Sequence, residues 1–372
     1  MNLVKQRKSS KSIQKGALVV LLILSVISSL FFVNHNASFY DETIAEVTQT
    51  KLLQKEQVTD EFQNRDTIYH QELTAKILNG NKKGRIIQLQ HTYTASGGFD
   101  DAYHEGNKLF VKKNAENQFD ITGMKRDHLL LGVVWLLILI LIFVGRKQGV
   151  LSLLSLVINM GIIAWVIQSY TNWDDYLIPL CMLGCVLFTV ISLTLVNGWN
   201  EKTFTAILAT LVGTFISFGI AVFVLWLTKE NGMRYEELQF ITRPYKTLFF
   251  AGLLVASLGA VMDIAITMSS SLFGLYEKNP HISIKQLAKS GREIGKDIMG
   301  PMTNILFFVY VSGSIPMMML FFKNHATFTY TLSTNLTLEI VRALVGGIGI
   351  VLTIPISLFI VLFFIKRKQV KQ

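Results

Sequence analysis

The sequence alternates between long apolar stretches and shorter polar segments. A helix needs about 20 mostly apolar residues to cross a hydrocarbon core about 30 Å thick. Only helices and closed barrels satisfy their backbone polar groups in lipid, so such stretches indicate membrane-spanning helices. Eight stretches approach this length: residues 16–33, 128–144, 150–169, 176–196, 203–227, 246–272, 298–322 and 338–365. The pattern predicts a mainly α, polytopic transmembrane helix bundle with about eight spans.

The pattern changes between the first and second apolar stretches. Residues 34–127 are polar, contain Asn-Gly and Gly-Gly turn sequences, and place apolar side chains at alternate positions, as at Leu73, Ala75 and Ile77. A period of two residues is typical of half-buried strands. We therefore expect a small antiparallel β domain, which its size allows to be OB-like or another small barrel, while periodicity alone leaves a small sandwich open.

These patterns divide the chain into five parts. They are a basic N-terminus at residues 1–15, a transmembrane anchor at 16–33, a β-rich domain at 34–127, a seven-helix transmembrane domain at 128–365 and a basic tail at 366–372. A cleaved signal peptide is the alternative for the first apolar stretch, because its start is charged and its core is apolar. Either interpretation exports the β domain.

The distribution of charge predicts the orientation in the membrane. Cytoplasmic loops of membrane proteins collect Lys and Arg, so the net charge of +10 does not by itself indicate nucleic-acid binding. Basic residues precede the first stretch and occupy residues 145–149, 278–296 and 366–371, whereas an intervening loop carries Asp174 and Asp175. We expect both termini to be cytoplasmic in a plasma membrane, with the β domain outside the cytoplasm.

Asp263 is the most informative single residue, because it lies well inside the sixth apolar stretch. A carboxylate at membrane depth costs about 2.5 to 3.5 kcal/mol on insertion scales, so it is expected to face other helices or trapped water. Small and polar residues share its helix face: Gly252, Ala256, Gly259, Ala260 and Thr267. The four small residues of this set favour close helix packing. The carboxylate is either a contact for an ion, proton or substrate, or a structural link between helices.

Asn304 and Thr303 are the predicted partners of Asp263 in an intramembrane polar site. They lie near the start of the seventh stretch, in the same half of the membrane as the carboxylate. Pro301 is interpreted as the first turn of that helix, where the missing N–H is not needed. Pro316 lies in the middle of the stretch and is expected to bend or break it.

A basic amphipathic helix is predicted between the sixth and seventh stretches, on the cytoplasmic side. Apolar residues recur at helical spacing over residues 283–299, and Lys285, Lys289, Arg292 and Lys296 occupy the other face. Such a helix either lies on anionic headgroups or docks a soluble partner.

Signatures of catalysis and metal binding are not found. The sequence contains no H-E-x-x-H, G-x-S-x-G or Walker A motif, and its histidines match no compact metal motif. Cys181 and Cys185 lie four residues apart within one apolar stretch, so no disulfide framework or zinc site is implied. We therefore predict no enzymatic activity, no catalytic residue, no cofactor and no metal.

Several segments resemble the YibE/F family of bacterial multi-pass membrane proteins. They are GAVMDIA at residues 259–265, SSSL at 269–272, EKNP at 277–280 and GKDIMGPMTN at 295–304. The anchor followed by an outer domain resembles the longer, YibE-like members. The resemblance implies a multi-pass membrane architecture, and action beside a YibF-like second subunit or as a homo-oligomer.

The leading functional hypothesis is a transporter or permease of unknown substrate. In this hypothesis Asp263, Thr267, Thr303 and Asn304 line the polar site within the bilayer. The alternative is a non-transporting accessory or signalling protein, whose outer domain binds an envelope partner while the basic helix contacts another protein.

Overall fold

The computed structural model describes residues 20, 22–97, 100–114, 118–172, 176–235 and 244–369. The basic N-terminus, Asp174, Asp175 and part of the loop after the fifth apolar stretch therefore lie outside the described residues. The chain forms two compact units, residues 1–143 and 144–372. The first unit thus extends beyond the β domain and includes part of the following helix.

The first unit contains a helical segment and a five-stranded antiparallel sheet. Helix α1 is the apolar segment Leu22–Phe39, which ends in a 3-10 turn. The strands are β1 (Thr43–Thr59), β2 (Arg65–Ile77), β3 (Ile86–Thr94), β4 (Lys108–Lys113) and β5 (Phe119–Met124). Their order in the sheet is β3-β2-β1-β4-β5, and every neighbouring pair is antiparallel. The predicted small antiparallel sheet near the N-terminus is confirmed.

Alternating apolar residues give this sheet one buried face. Leu73, Ala75 and Ile77 on β2 are fully buried, and Val47 on β1 and Leu109 on β4 belong to the same cluster. Phe119 of β5 and Ile87 of β3 also join it, so both edge strands contribute to one core. The second half of β1 is mostly exposed and pairs with β2 alone.

Asn79 ties the sheet to the end of α1. Its side-chain Nδ2 lies 2.9, 3.1 and 2.8 Å from the carbonyl oxygens of Ala37, Tyr40 and Glu42. Its Oδ1 accepts a hydrogen bond of 2.7 Å from the backbone N–H of Ile44. A buried side-chain amide whose oxygen and nitrogen are both hydrogen-bonded has a fixed position, because the loss of any partner would leave a polar group unsatisfied. The segment between α1 and β1 is therefore fixed to the turn after β2.

The remaining helices are mostly long and apolar. They are α2 (Asp127–Asn172), α3 (Leu177–Asn197), α4 (Glu201–Leu227), α5 (Tyr245–Lys278), α6 (Ile284–Lys323), α7 (Phe328–Asn335) and α8 (Thr337–Gln369). Within the described ranges, seven helices are long and apolar enough to cross a membrane: α1, α2, α3, α4, α5, α6 and α8. An unbroken α2 would extend roughly 69 Å at 1.5 Å per residue. Non-helical backbone at Arg146 divides it into two helices, so these helices provide eight apolar segments.

Helix α6 differs from the sequence-based expectation. The amphipathic segment and the seventh apolar stretch form one continuous helix of 40 residues. A capping box starts it: Ser283 accepts from the N–H of Gln286, and the Gln286 side chain accepts from the N–H of Ser283. The prediction that Pro301 begins a helix is wrong, because this cap begins the helix 17 residues earlier, at Ile284. Pro316 also lies inside α6 and does not end it.

Helix α5 is the centre of the second unit and packs against α3, α4, α6 and α8. Glycines permit the closest approaches. A Cβ added to Gly213 of α4 would lie 2.4 Å from Thr353 Oγ1 of α8 and 3.0 Å from Val261 Cγ1 of α5. One added to Gly349 of α8 would lie 2.9 Å from Val261 Cγ2. Helices in lipid associate largely through such contacts between small residues.

Ion pairs at one end of the unit indicate how these helices run. Glu201 and Lys202 begin α4, and their side chains lie 2.9 Å from Lys368 of α8 and from Glu277 of α5 respectively. The start of α4 therefore meets the ends of α5 and α8, so α4 is antiparallel to both. Each pair is largely exposed and contributes at most about 1 kcal/mol.

We expect Gly213→Ala to destabilise the helical unit, whereas Gly219→Ala on the same helix does not. The added methyl group at Gly213 would overlap Thr353, a short side chain that cannot move away, and overpacking of this kind costs about 1 to 3 kcal/mol. Nothing lies within 4 Å of a Cβ at Gly219. Thermal unfolding of the purified variants in detergent measures the difference, and equal midpoints would contradict it.

Candidate functional site

Asp263 lies near the middle of α5, about 27 Å along the helix from Tyr245 and about 22 Å from Lys278. Its side chain is exposed in the single chain. None of the hydrogen bonds or ion pairs found in the described part of the chain involves this carboxylate. The structure therefore differs from the expectation that Asp263 faces other helices of its own bundle.

The predicted small residues lie on the same side of α5 as Asp263. Gly252 and Gly259 are exposed, and an added Cβ would meet nothing within 4 Å at either position. Ala256 and Thr267 are half-buried. We call Gly252, Ala256, Gly259, Asp263 and Thr267 the open face of α5. The two glycines of this face do not mediate close helix contacts within one chain.

Ala260, the fourth predicted packing residue, lies at the margin of this face. It is half-buried and packs against a cluster formed by α5, α6 and α8. The close approaches that α6 makes to its neighbours occur instead at its own Gly291 and Gly295, where an added Cβ would lie 2.5 Å from Leu358 and 2.4 Å from Ile354.

Thr303 and Asn304 point to different surroundings. The Thr303 hydroxyl donates to the carbonyl of Met299 at 2.9 Å, and its Cγ2 lies 3.4 Å from where a Cβ of Gly347 on α8 would stand. Thr303 also lines an apolar groove of about 400 Å³ between α6 and α8. Asn304 is exposed, roughly 200° around α6 from Met302, which packs in the core. Within one chain, neither side chain forms a hydrogen bond with Asp263.

The basic residues of α6 lie along an exposed stripe. Lys285, Lys289, Arg292 and Lys296 are all exposed. The apolar side of the same segment is already covered, since Leu287, Gly291 and Gly295 are buried against α5 and α8. This segment therefore does not have a free apolar face to lay on lipid headgroups, and its basic stripe is presented away from the bundle.

Helices α4, α5 and α8 carry a set of buried hydroxyl groups, here called the hydroxyl seam, and the sequence-based site did not include it. Ser217 of α4 donates to the carbonyl of Val345 of α8 at 2.8 Å. Thr353 of α8 donates to the carbonyl of Gly349, four residues earlier, at 2.6 Å. The hydroxyl-bearing residues of this seam are all nearly or fully buried: Thr210, Thr214, Ser217, Ser257, Ser269, Thr353 and Ser357. Their signal in the sequence is the helical spacing of residues 210, 214 and 217.

Four of these hydroxyls have no hydrogen-bond partner: Thr210, Thr214, Ser269 and Ser357. Other buried hydroxyls bond back to their own helix: Thr189 donates to the carbonyl of Cys185 at 2.7 Å, and Ser257 and Thr353 do the same within the seam. A buried polar group left unsatisfied costs about 1 to 3 kcal/mol. The interior of the bundle is therefore more polar than packing alone requires.

No metal-binding cluster is evident in the part of the chain that the structure describes. Groups of three or more His, Cys, Asp or Glu side chains that could hold an ion are not found there. Cys181 and Cys185 are both free and buried in α3. They pack within an apolar cluster with Leu180 and Phe188.

Comparison with known proteins gives two family matches. The family model described as YibE/F-like protein matches residues 133–367, and the one described as YibE/F family N-terminal domain matches residues 38–127. No curated protein and no solved structure shows a significant match to the chain. The two matches cover nearly the whole chain and follow the order of the sheet and the helices.

We expect Ser217→Ala and Thr214→Val to have opposite consequences for stability. Ser217→Ala removes a hydrogen bond between two helices and leaves the Val345 carbonyl without this donor, at a cost of about 1 kcal/mol. Thr214→Val replaces an unpartnered hydroxyl with a methyl group of similar size, so stability is unchanged or increased. Unfolding of both variants in detergent tests this, and a large loss with Thr214→Val would show that its hydroxyl is occupied by water or a ligand.

Proposed function

The chain belongs to the YibE/F family, and from this premise we propose that it is a multi-pass membrane transport protein of the permease type. The observation that carries the proposal is the position of Asp263, an exposed carboxylate near the middle of a long apolar helix. Ionisable residues at such depth usually serve ion, proton or substrate pathways. Thr267, one turn further along the open face of α5, supplies a second oxygen.

A second subunit completes this site in our proposal. Hydrocarbon cannot solvate a carboxylate, so the open face of α5 requires a cover that the single chain does not provide. The exposed Gly252 and Gly259 allow another helix to approach closely, as in the small-residue contacts of membrane proteins. The cover is a second copy of this chain or a YibF-like subunit. Asn304, which is also exposed, is available to the same partner.

We further propose eight spans with both termini in the cytoplasm of a bacterial cell. The interruption at Arg146 supports two spans within α2. The basic stripe at the start of α6 and the residues Lys366, Arg367 and Lys368 at the end of α8 fit a cytoplasmic location for both segments. This orientation places the β1–β5 sheet outside the cytoplasm.

The sheet is proposed to be a partly open barrel of the OB type. In a flat sheet, β3 and β5 would lie about 19 Å apart, since neighbouring strands are about 4.8 Å apart. Residues of both edge strands nevertheless pack in one apolar cluster, Ile87 and Leu89 from β3 and Ile121 and Met124 from β5. Strong curling of the sheet brings them together, and the strand order β3-β2-β1-β4-β5 is compatible with closure between its two edges.

A second candidate function follows from the exposed basic stripe of α6. Because the apolar side of this segment is already buried, Lys285, Lys289, Arg292 and Lys296 are free to dock an acidic soluble protein. In that case the protein is a signalling or accessory component, and its outer domain binds an envelope partner. Deletion of residues 37–123 would then impair function more than loss of the Asp263 carboxylate.

Asp263→Asn is expected to reduce ion-coupled flux at least tenfold while expression and unfolding temperature are retained. The amide is nearly isosteric but carries no charge, so it cannot exchange a proton or neutralise a cation. Vesicles that contain the full-length protein and a pH-sensitive dye measure proton movement under imposed gradients of Na⁺, K⁺, Mg²⁺ or Mn²⁺. Asp120→Asn, an exposed aspartate of β5, is the control. Unchanged flux in Asp263→Asn would remove the basis for the site.

The proposed cover of α5 predicts a specific cross-link. In a background with Cys181→Ala and Cys185→Ala, Gly259→Cys labelled with a benzophenone maleimide should give a photo-cross-linked product in native membranes, whereas Phe359→Cys on the exposed side of α8 should not. A product of twice the chain's mass identifies a second copy, and any other mass identifies a different subunit. Absence of a product at position 259, or equal products at both positions, would contradict the assembly.

A further inference from the structure

The outer sheet carries a groove that the transport proposal does not use. It encloses about 690 Å³ and is lined by the segment after α1, the turn after β2, and the facing parts of β4 and β5. Three lysines line it: Lys82 from the turn and Lys112 and Lys113 from β4. Asp41 and Glu42, from the segment after α1, line it as well. The groove therefore presents both signs of charge to one space.

In the described part of the chain, Lys82, Lys112 and Lys113 form no ion pair. The charge of Lys113 lowers the pKa of Lys82 below its ordinary value, with smaller contributions from slight burial and from Arg85. The Lys82 Nζ lies 5.2 Å from the centre of the Phe119 ring, above the start of β5. Two ammonium groups near one another repel, so an anion bound between them would relieve the repulsion.

In the described part of the chain, neither Asp41 nor Glu42 on the acidic side forms an ion pair with any of the three lysines, although all five residues line one groove. Asn79 fixes this arrangement, because its Nδ2 lies 2.8 Å from the carbonyl oxygen of Glu42 and holds that segment at the edge of the groove. Separated opposite charges suit a ligand that itself carries both signs.

We propose that this groove binds a zwitterionic phosphate ester, with its phosphate between Lys82 and Lys113 and its amine at Asp41 and Glu42. Lysine is a common point-charge binder of phosphate, and two neighbouring ammonium groups match a group that spreads its charge over several oxygens. The Phe119 ring gives the ligand's hydrocarbon part an apolar surface beside the lysines.

Two sources of this chemistry are available at the groove. Asp41 follows the end of α1 at Phe39 by two residues, about 7 Å of chain, so the acidic side lies close to the end of an apolar helix. A lipid headgroup at the membrane surface could reach it, and so could a soluble or polymer-bound phosphate ester. Phosphoethanolamine represents the shared headgroup chemistry.

Calorimetric titration of the full-length protein in uncharged maltoside micelles tests the proposal. Phosphoethanolamine should bind saturably and more tightly than inorganic phosphate. Lys82→Gln or Lys113→Gln should weaken both probes roughly twofold to fivefold, as expected for the loss of one exposed charged contact. The double variant Asp41→Asn/Glu42→Gln should weaken phosphoethanolamine but not inorganic phosphate. Lys76→Gln removes the same charge from an exposed position on β2 and should change neither.

The source is distinguished by adding lipid to the same micelles. Displacement of phosphoethanolamine by phosphatidylethanolamine, and not by phosphatidylglycerol, assigns a lipid headgroup, whereas no displacement assigns a soluble ligand; both results support the site. The proposal is overturned if no saturable binding occurs, or if Lys76→Gln weakens binding as much as Lys82→Gln. Because these variants are all in the outer domain, their result is independent of flux through Asp263.

Discussion

The helical unit depends on how closely α4, α5 and α8 approach one another. Val261 of α5 fills the space beside Gly213 of α4 and Gly349 of α8, and neither glycine has room for a methyl group. In lipid, contact between small residues replaces hydrophobic burial as the main source of helix association. The same close approach brings the Ser217 hydroxyl to the Val345 carbonyl of the facing helix. One packing constraint thus determines both the association of the helices and the polarity of their interior.

This constraint also explains why the two sides of α5 differ. The side that bears Val261, Ile264 and Met268 is fully buried by its neighbours. The opposite side bears Gly259 and Asp263, which are exposed. A bilayer tolerates an apolar exposed face at no cost, but it does not tolerate a bare carboxylate at depth. In the assembly proposed above, a second subunit would supply the wall of the polar site that the single chain does not provide.

The lengths of the apolar stretches and the alternation within the sheet were sufficient to predict the main elements. The ends of the helices were harder to predict, because the length of an apolar stretch does not show where a polar segment continues the helix. The capping box at Ser283 begins α6 well before its apolar part, and the glycines at 291 and 295 hold this polar segment against α5 and α8. The prediction for Pro301 was wrong because proline occurs both in the first turn of a helix and in a helix interior. In the interior, the carbonyl four residues earlier loses its N–H donor and is satisfied by other surroundings.

The sequence was sufficient to predict which residues share one face of α5, but not what that face contacts. Helical spacing puts Gly252, Gly259 and Asp263 on one face, and all three are exposed, yet a stripe of small residues is equally suited to a neighbour within the chain and to one in another subunit. The prediction that Thr303 and Asn304 are both partners of Asp263 did not take into account that two adjacent residues on a helix point about 100° apart. The helical spacing of residues 210, 214 and 217 was not sufficient to predict the hydroxyl seam, because threonine is common in apolar helices and the burial of these residues is seen only in the structure.

Asn79 connects the five-stranded sheet to the end of the apolar helix α1. One amide contacts the carbonyls of Ala37 and Tyr40, at the end of α1, and of Glu42, at the edge of the charged groove. A ligand bound at Asp41 and Glu42, as proposed above, would therefore contact a segment that Asn79 joins to the end of α1. Water does not readily replace these bonds, because they are partly buried. A displacement of Glu42 is therefore either resisted by Asn79 or transmitted through it to α1.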